Sequence, residues 1–235
     1  MNATEQRLQA SLARNHELAE LTRARGFPAR EFAAVQQWQR QRLAETYADL
    51  LAEEQFEAAG HFFLEEIYGG LEFRERDQQV ARVLPVMARM LPEHMLRTMT
   101  GAFDLQALSL ELDMGMARHM AAAGLLALDT PAYGRIYRST GRERDRDQQI
   151  ELFRRLGLEL VELVRHRLVL NFVRLMRMPA RAAGFGRLQD FLEQGLWAFR
   201  QMQDGEYFVL TVHQREQAIM INLRAGSDQP FEVAK

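Results

Sequence analysis

The spacing of apolar residues constrains this chain most, because it is helical almost throughout. Between residues 28 and 51, large side chains recur at intervals of three, four and seven or eight, as on one face of an α-helix: Phe32, Val35, Leu43, Tyr47, Leu50 and Leu51. No stretch alternates convincingly between apolar and polar residues, and no linker rich in Pro, Gly or Ser divides the chain. The sequence therefore predicts an all-α fold, a single-domain bundle of about eight helices over residues 1–224 with a flexible tail at 225–235.

Glycine and proline mark the predicted helix ends. A first helix over residues 4–25 stops at Gly26, and Pro92 opens a long helix that runs to about residue 123. A second long helix, with an interruption allowed, covers residues 147–178, and Pro179 together with "AGFG" at 183–186 is expected to end it.

The segment "YFVLTV" at 207–212 has strand propensity, so a hairpin is an alternative for residues 207–223. We favour a last helix there, because Phe208, Val212, Ile219 and Leu223 keep the helical interval.

Composition excludes several classes of function. The 235 residues include no cysteine, which excludes disulfides, thiolate metal sites and cysteine nucleophiles and favours a cytoplasmic location. The formal net charge of −2 makes nucleic acid an unlikely partner. The N-terminal residues have no apolar core of the signal-peptide type, and the longest apolar run, 120–128, is far short of the roughly 20 residues of a membrane span. No dinucleotide, phosphate-loop or serine-hydrolase motif occurs, so we predict no cofactor.

A short repeat raises the possibility of internal duplication. "RDQQV" at 76–80 recurs as "RDQQI" at 146–150, and each is predicted to open a long helix. Duplication of a helical pair is one interpretation. The alternative is that Asp-Gln-Gln simply starts helices well.

Two His–Glu pairs are weak candidates for a metal site. His61 and Glu65 are four residues apart, and Glu162 and His166 repeat this spacing in reverse order, so each pair shares one face of a helix. Two carboxylates and two imidazoles suit a divalent transition metal. No Glu-x-x-His motif of helical di-iron proteins occurs, however, and exposed surface pairs are the simpler interpretation.

Tyr68 and Asp77 lie in the polar stretch "HFFLEEIYGGLEFRERD" at 61–77, and we assign both a structural role. Tyr68 precedes two glycines that permit a turn after a helix, and Asp77 stands where an N-cap is expected.

Asp113 is a different kind of candidate, because it lies on or beside an apolar helical stripe with Gln106 on the same side. A buried carboxylate must be hydrogen-bonded or paired. We expect an arginine from a neighbouring helix as the partner; a functional site is the alternative.

Arginines dominate the segment between Glu162 and Asp190, which contains no acidic residue. Arg174 and Arg177 belong to this basic helix, which predicts either a solvated face or a surface for an acidic partner.

Several motifs together resemble a family of uncharacterised all-helical proteins from proteobacteria. They are "FFLEEIYGG", "RDQQVARVLPVMARMLP", "LSLELD" and "LMRMPARAAGFGRLQDFLEQGLWAF", within residues 35–216. The resemblance implies an all-α fold and a bacterial origin, and it brings no known activity or catalytic residue.

Three functional hypotheses follow. The leading one is a non-catalytic helical protein that acts through a protein partner or by self-association, for example as a homodimer. The competing one is a metal- or small-ligand-binding protein, with or without enzymatic activity, whose site lies among His61, Glu65, Asp113, Glu162 and His166. The weakest is a cofactor-free globin-like sensor, suggested by the helix count and by His119 late in a long helix.

Overall fold

A computed structural model describes residues 3–64, 92–184 and 186–233, except for the side chain of Leu188. All regular secondary structure in these ranges is helical, which confirms the predicted all-α class. Ten helices are described: α1 Ala3–Leu21, α2 Ala29–Thr46, α3 Ala48–Leu51, α4 Glu54–Phe62, α5 Glu93–Ala122, α6 Thr130–Thr140, α7 Glu143–Leu163, α8 Arg167–Ala182, α9 Gly186–Gln201 and α10 Gly205–Ala225.

Helix α5 is the centre of the bundle. Its 30 residues give it a length of roughly 45 Å at the usual rise per residue, and it packs against α1, α2, α6 and α7. Leu112, Met116 and Ala117 are fully or almost fully buried. Helix α10 packs against α7, while α9 packs against α4 and α8.

Local sequence signals account for several helix ends. The side chain of Asp129 caps α6 by accepting a hydrogen bond from the backbone N–H of Ala132 at 2.7 Å. Asp204 caps α10 in the same way, with the backbone N of Tyr207 at 3.0 Å. Helix α10 ends at Gly226, whose φ of 76° is a left-handed conformation that glycine adopts easily. The helical prediction for residues 207–223 is confirmed.

Of the two features expected to end the helix after residue 178, Pro179 does not do so, whereas "AGFG" at 183–186 directly follows the last helical residue, Ala182. Helix α8 contains Pro179 and continues to Ala182. Proline lacks the N–H that would bond backwards, but its carbonyl still accepts, here from the backbone N of Ala183 at 3.0 Å. The long segment predicted over 147–178 is divided after Leu163, and its first part begins four residues earlier, at Glu143.

Two other sequence features have particular places in the fold. The second "RDQQ" copy lies within α7, whereas the first copy lies outside the described residues. In the segment expected to be a flexible tail, Phe231 contacts Trp38 and Tyr133, with ring centroids 5.3 and 5.9 Å apart.

Nowhere in the three described ranges is a helix long and apolar enough to cross a membrane.

Candidate functional site

A partly open cavity of about 420 Å³ lies between the helices and is bordered by residues from every described helix from α2 to α10. This volume is within the range of small-molecule sites, about 300–1,000 Å³. Most of the lining is apolar, and many of the side chains come from phenylalanine, leucine and methionine.

Most polar side chains of the cavity lining lie toward one end of the antiparallel helices α5 and α7, although Thr98 lies toward the other end. Near one end Gln149 Nε2 donates to Ser109 Oγ at 2.8 Å, and near the other Thr98 Oγ1 donates to Glu159 Oε2 at 2.7 Å. The lining of the apolar end includes Met95, Met99 and Phe103 from α5 and Phe153, Leu156 and Leu160 from α7. The lining of the polar end includes Gln106, Ser109 and Asp113 from α5 and Arg146 and Gln149 from α7.

Asp113 is buried at the polar end, with only 6% of its surface exposed. Gln39 Nε2, from α2, donates a hydrogen bond to Asp113 Oδ1 at 2.5 Å. Burial raises the pKa of Asp113 to about 7, and the hydrogen bonds from Gln39 and Gln36 together with the charge of Arg146 oppose this rise only in part. The expected arginine therefore lies nearby and acts through its charge, while the hydrogen-bond donor is Gln39.

Arg146 is the most unusual side chain of the site. It is 6% exposed, and its guanidinium carbon lies 3.9 Å from the centroid of the Tyr137 ring, which is cation–π geometry. Its Nε and Nη2 atoms are buried and have no hydrogen-bond partner among the described residues. Buried polar groups without partners are rare, because each carries a desolvation cost.

Sequence reasoning missed Arg146, because "STGRERDRD" resembles a solvated charged turn. The interval between Arg146 and later apolar residues could have indicated its burial. Ile150, Gly157 and Val161 lie 4, 11 and 15 residues further along and are all buried. These intervals place all four residues on one helical face.

A second buried arginine, Arg42, is paired and belongs to the architecture. It forms an ion pair with Glu216 Oε1, which also accepts a hydrogen bond from the Tyr47 hydroxyl at 2.7 Å. Burial raises the pKa of Tyr47 well above its usual value, so this hydroxyl stays a donor. The group ties α2 to α10 beside the cavity.

The three metal candidates within the described residues lie on the surface. Glu162 and His166 form an exposed pair, with Oε1 and Nε2 3.5 Å apart, and His61 is exposed on α4. Glu65 lies outside the described residues. Among the residues whose positions are described, no group of three or more His, Asp or Glu side chains is arranged to hold a metal ion.

The remaining candidate residues from the sequence lie in different parts of the chain. Gln106 lines the cavity on the same helix as Asp113. Tyr68 and Asp77 lie outside the described ranges. His119 is half-buried, and its Nδ1 lies 2.9 Å from the carbonyl oxygen of Gly115 in its own helix.

Helix α8 carries an exposed apolar patch next to its arginines. Leu168, Leu175 and Met178 are 83%, 74% and 76% exposed. Arg174 is also exposed, whereas Arg177 forms a bidentate ion pair with Glu193 of α9.

Comparison with known proteins gives a family without a known activity. No curated protein and no solved structure matches the chain. One family does match, over residues 19–230, and its description is a domain of unknown function. The match spans most of the 235 residues, and the chain therefore belongs to the uncharacterised domain family DUF8198.

Proposed function

We propose that this protein binds a small amphipathic molecule inside the helical bundle. The observation that carries the proposal is the cavity of about 420 Å³ with a polar end at Asp113 and Arg146 and an apolar end formed by phenylalanine, leucine and methionine. Such a lining matches the hydrocarbon part of a ligand at one end and its head group at the other.

The size of the cavity argues against a packing defect. Protein interiors are close-packed, with few voids larger than a water molecule. The cavity is partly open and has room for water, so a ligand with an apolar part would displace water from a mostly apolar lining, which is a favourable exchange.

The test is uptake of the fluorescent apolar probe 1-aminoanthracene. Ala102 lines the cavity, so Ala102→Phe fills part of it, whereas Ala121→Phe places the same ring on the exposed end of the same helix. We expect saturable fluorescence with the wild type and Ala121→Phe and weaker uptake with Ala102→Phe. Absence of uptake by the wild type, or equal uptake by all three proteins, would contradict the proposal.

A second candidate function, contact with another protein, is favoured by the exposed patch of α8. Three large apolar side chains are exposed on this one helix. Exposed apolar patches of this kind mark interaction surfaces. We take a second copy of the chain as the partner to be tested.

Sedimentation velocity over a range of protein concentrations tests self-association. We expect concentration-dependent association that Leu175→Gln weakens and Ile221→Gln, which alters an exposed apolar residue on α10, does not. A monomer at every concentration would exclude self-association through α8.

A further inference from the structure

The charged side chains that line the cavity balance one another. Within the described part of the chain they are Arg42, Asp113, Arg146 and Glu216, two of each sign. Arg42 forms an ion pair with Glu216. Burial raises the pKa of Asp113, and the positive charge of nearby Arg146 opposes that rise. A charged head group of either sign would therefore lose its hydration without meeting an unbalanced charge.

Two glutamine amides at the polar end keep hydrogen-bonding capacity. Gln39 Nε2 donates to Asp113 Oδ1 at 2.5 Å, and Gln149 Nε2 donates to Ser109 Oγ at 2.8 Å. The Oε1 atom of each glutamine accepts no hydrogen bond from the described residues, and neither atom belongs to the fully buried polar atoms that have no partner there. Both acceptors therefore keep accessible surface, and both glutamines line the cavity.

Ser109 supplies a donor at the same place. Its Oγ accepts from Gln149, while its own hydroxyl hydrogen has no acceptor among the residues that the structure describes. Ser109 and Gln149 are both half-buried and line the cavity. This pair thus presents one free donor and one free acceptor, which is what a single hydroxyl group uses.

We propose, on the basis of the ligand-binding function proposed above, that the ligand is an uncharged alcohol with an aliphatic chain. Its hydroxyl donates to Gln149 Oε1 and accepts from the Ser109 hydroxyl, and its chain extends toward Phe103 and Phe153. The chain replaces water against the apolar lining, and the head group exchanges hydrogen bonds with water for hydrogen bonds with the protein. Such a ligand leaves the balance of charges in the lining unchanged.

Isothermal titration calorimetry at pH 8 compares four ligands of similar size: 1-decanol, its isomer methyl nonyl ether, decanoate and decylamine. Because burial raises the pKa of Asp113 only to about 7, this carboxyl is mostly ionised at pH 8 and balances Arg146. We expect 1-decanol to bind the wild type at least about tenfold more tightly than decanoate or decylamine, whose charges would be buried without a partner. We expect it to bind about fivefold more tightly than the ether, which has no donor for Gln149.

A glutamine variant locates the head group. Gln149→Leu removes the acceptor at a similar side-chain volume, and we expect it to abolish the preference for 1-decanol over the ether. The matched control is Gln148→Leu, at an exposed position of the same helix, which should keep this preference. Equal losses in the two variants would contradict the assignment of Gln149.

The outcomes separate the two proposals. If the ether binds the wild type as tightly as 1-decanol, the hydroxyl assignment is wrong while the ligand-binding function stands. If decanoate or decylamine binds most tightly, the polar end selects a charged head group and the assignment is again wrong. If none of the four binds, the function itself is contradicted. The comparison among ligands uses the wild type, so it remains decisive even if a Gln149 variant does not fold.

Discussion

Replacing Asp113 by asparagine should make the stability of this protein less dependent on pH. Burial raises the pKa of Asp113 in the folded state to about 7, whereas an unfolded aspartate titrates near 3.9. In the folded state the side chain therefore keeps its proton over a pH range in which the unfolded chain releases it. The contribution of the protonated group to stability is complete below pH 4 and is lost as the pH rises toward 7.

The magnitude follows from the difference of about three pKa units. Linkage then gives a total loss of roughly 4 kcal/mol, of which about 2.5 kcal/mol falls between pH 5 and pH 8. The asparagine that replaces Asp113 in the variant does not titrate, and its amide oxygen still accepts from Gln39. The stability of Asp113→Asn relative to the wild type should thus increase by about 2.5 kcal/mol from pH 5 to pH 8.

Urea denaturation followed by circular dichroism at the two pH values measures this difference. Asp228→Asn, which removes an exposed carboxylate, is the matched control, because ordinary surface titration cancels in the comparison. A free-energy difference between Asp113→Asn and the wild type that is the same at both pH values would refute the assignment of Asp113 as a buried carboxyl with a raised pKa.

Three further predictions concern packing and ion pairing, and urea denaturation at pH 7 measures each. Gly157→Ala should destabilise the protein by about 1–3 kcal/mol, because the new Cβ would lie 2.8 Å from Val209 Cγ1. Gly101→Ala should stabilise it by about 0.5–1 kcal/mol, since a Cβ there meets no other atom within 4 Å and alanine favours the helix; equal effects at the two glycines would contradict the packing at α7 and α10. Asp49→Ala should cost about 2 kcal/mol by leaving buried Arg215 unpaired, a value reduced from the usual range because Asp49 is partly exposed; an unchanged stability would show that this ion pair contributes nothing.

The helical class follows from the sequence because apolar spacing reports directly on periodic burial. The capping aspartates and Gly226 also act locally, so the beginnings of α6 and α10 and the end of α10 can be read from the residues themselves. Pro179 shows the limit of such rules, since a proline near the end of a helix removes one donor without preventing another turn.

Of the two charged residues at the polar end of the cavity, only Asp113 could be predicted from the sequence. Asp113 can be recognised because a carboxylate on an apolar helix face must be buried at a desolvation cost unless it has a partner. Arg146 cannot, because its burial depends on α7 beginning at Glu143 rather than at residue 147 and on α6 supplying the Tyr137 ring. The cavity depends on how the described helices α2 to α10 meet, which no local pattern encodes.

Native mass spectrometry of the full chain with 1-decanol tests the central claim most directly. The protein is first stripped of bound molecules by reverse-phase extraction and refolding, and its mass is then recorded with and without 1-decanol. Binding inside the cavity predicts one 1-decanol per chain for the wild type and a lower occupancy for Ala102→Phe at the same concentration. A spectrum with only the mass of the unliganded chain, or with equal occupancy in both proteins, would contradict the account.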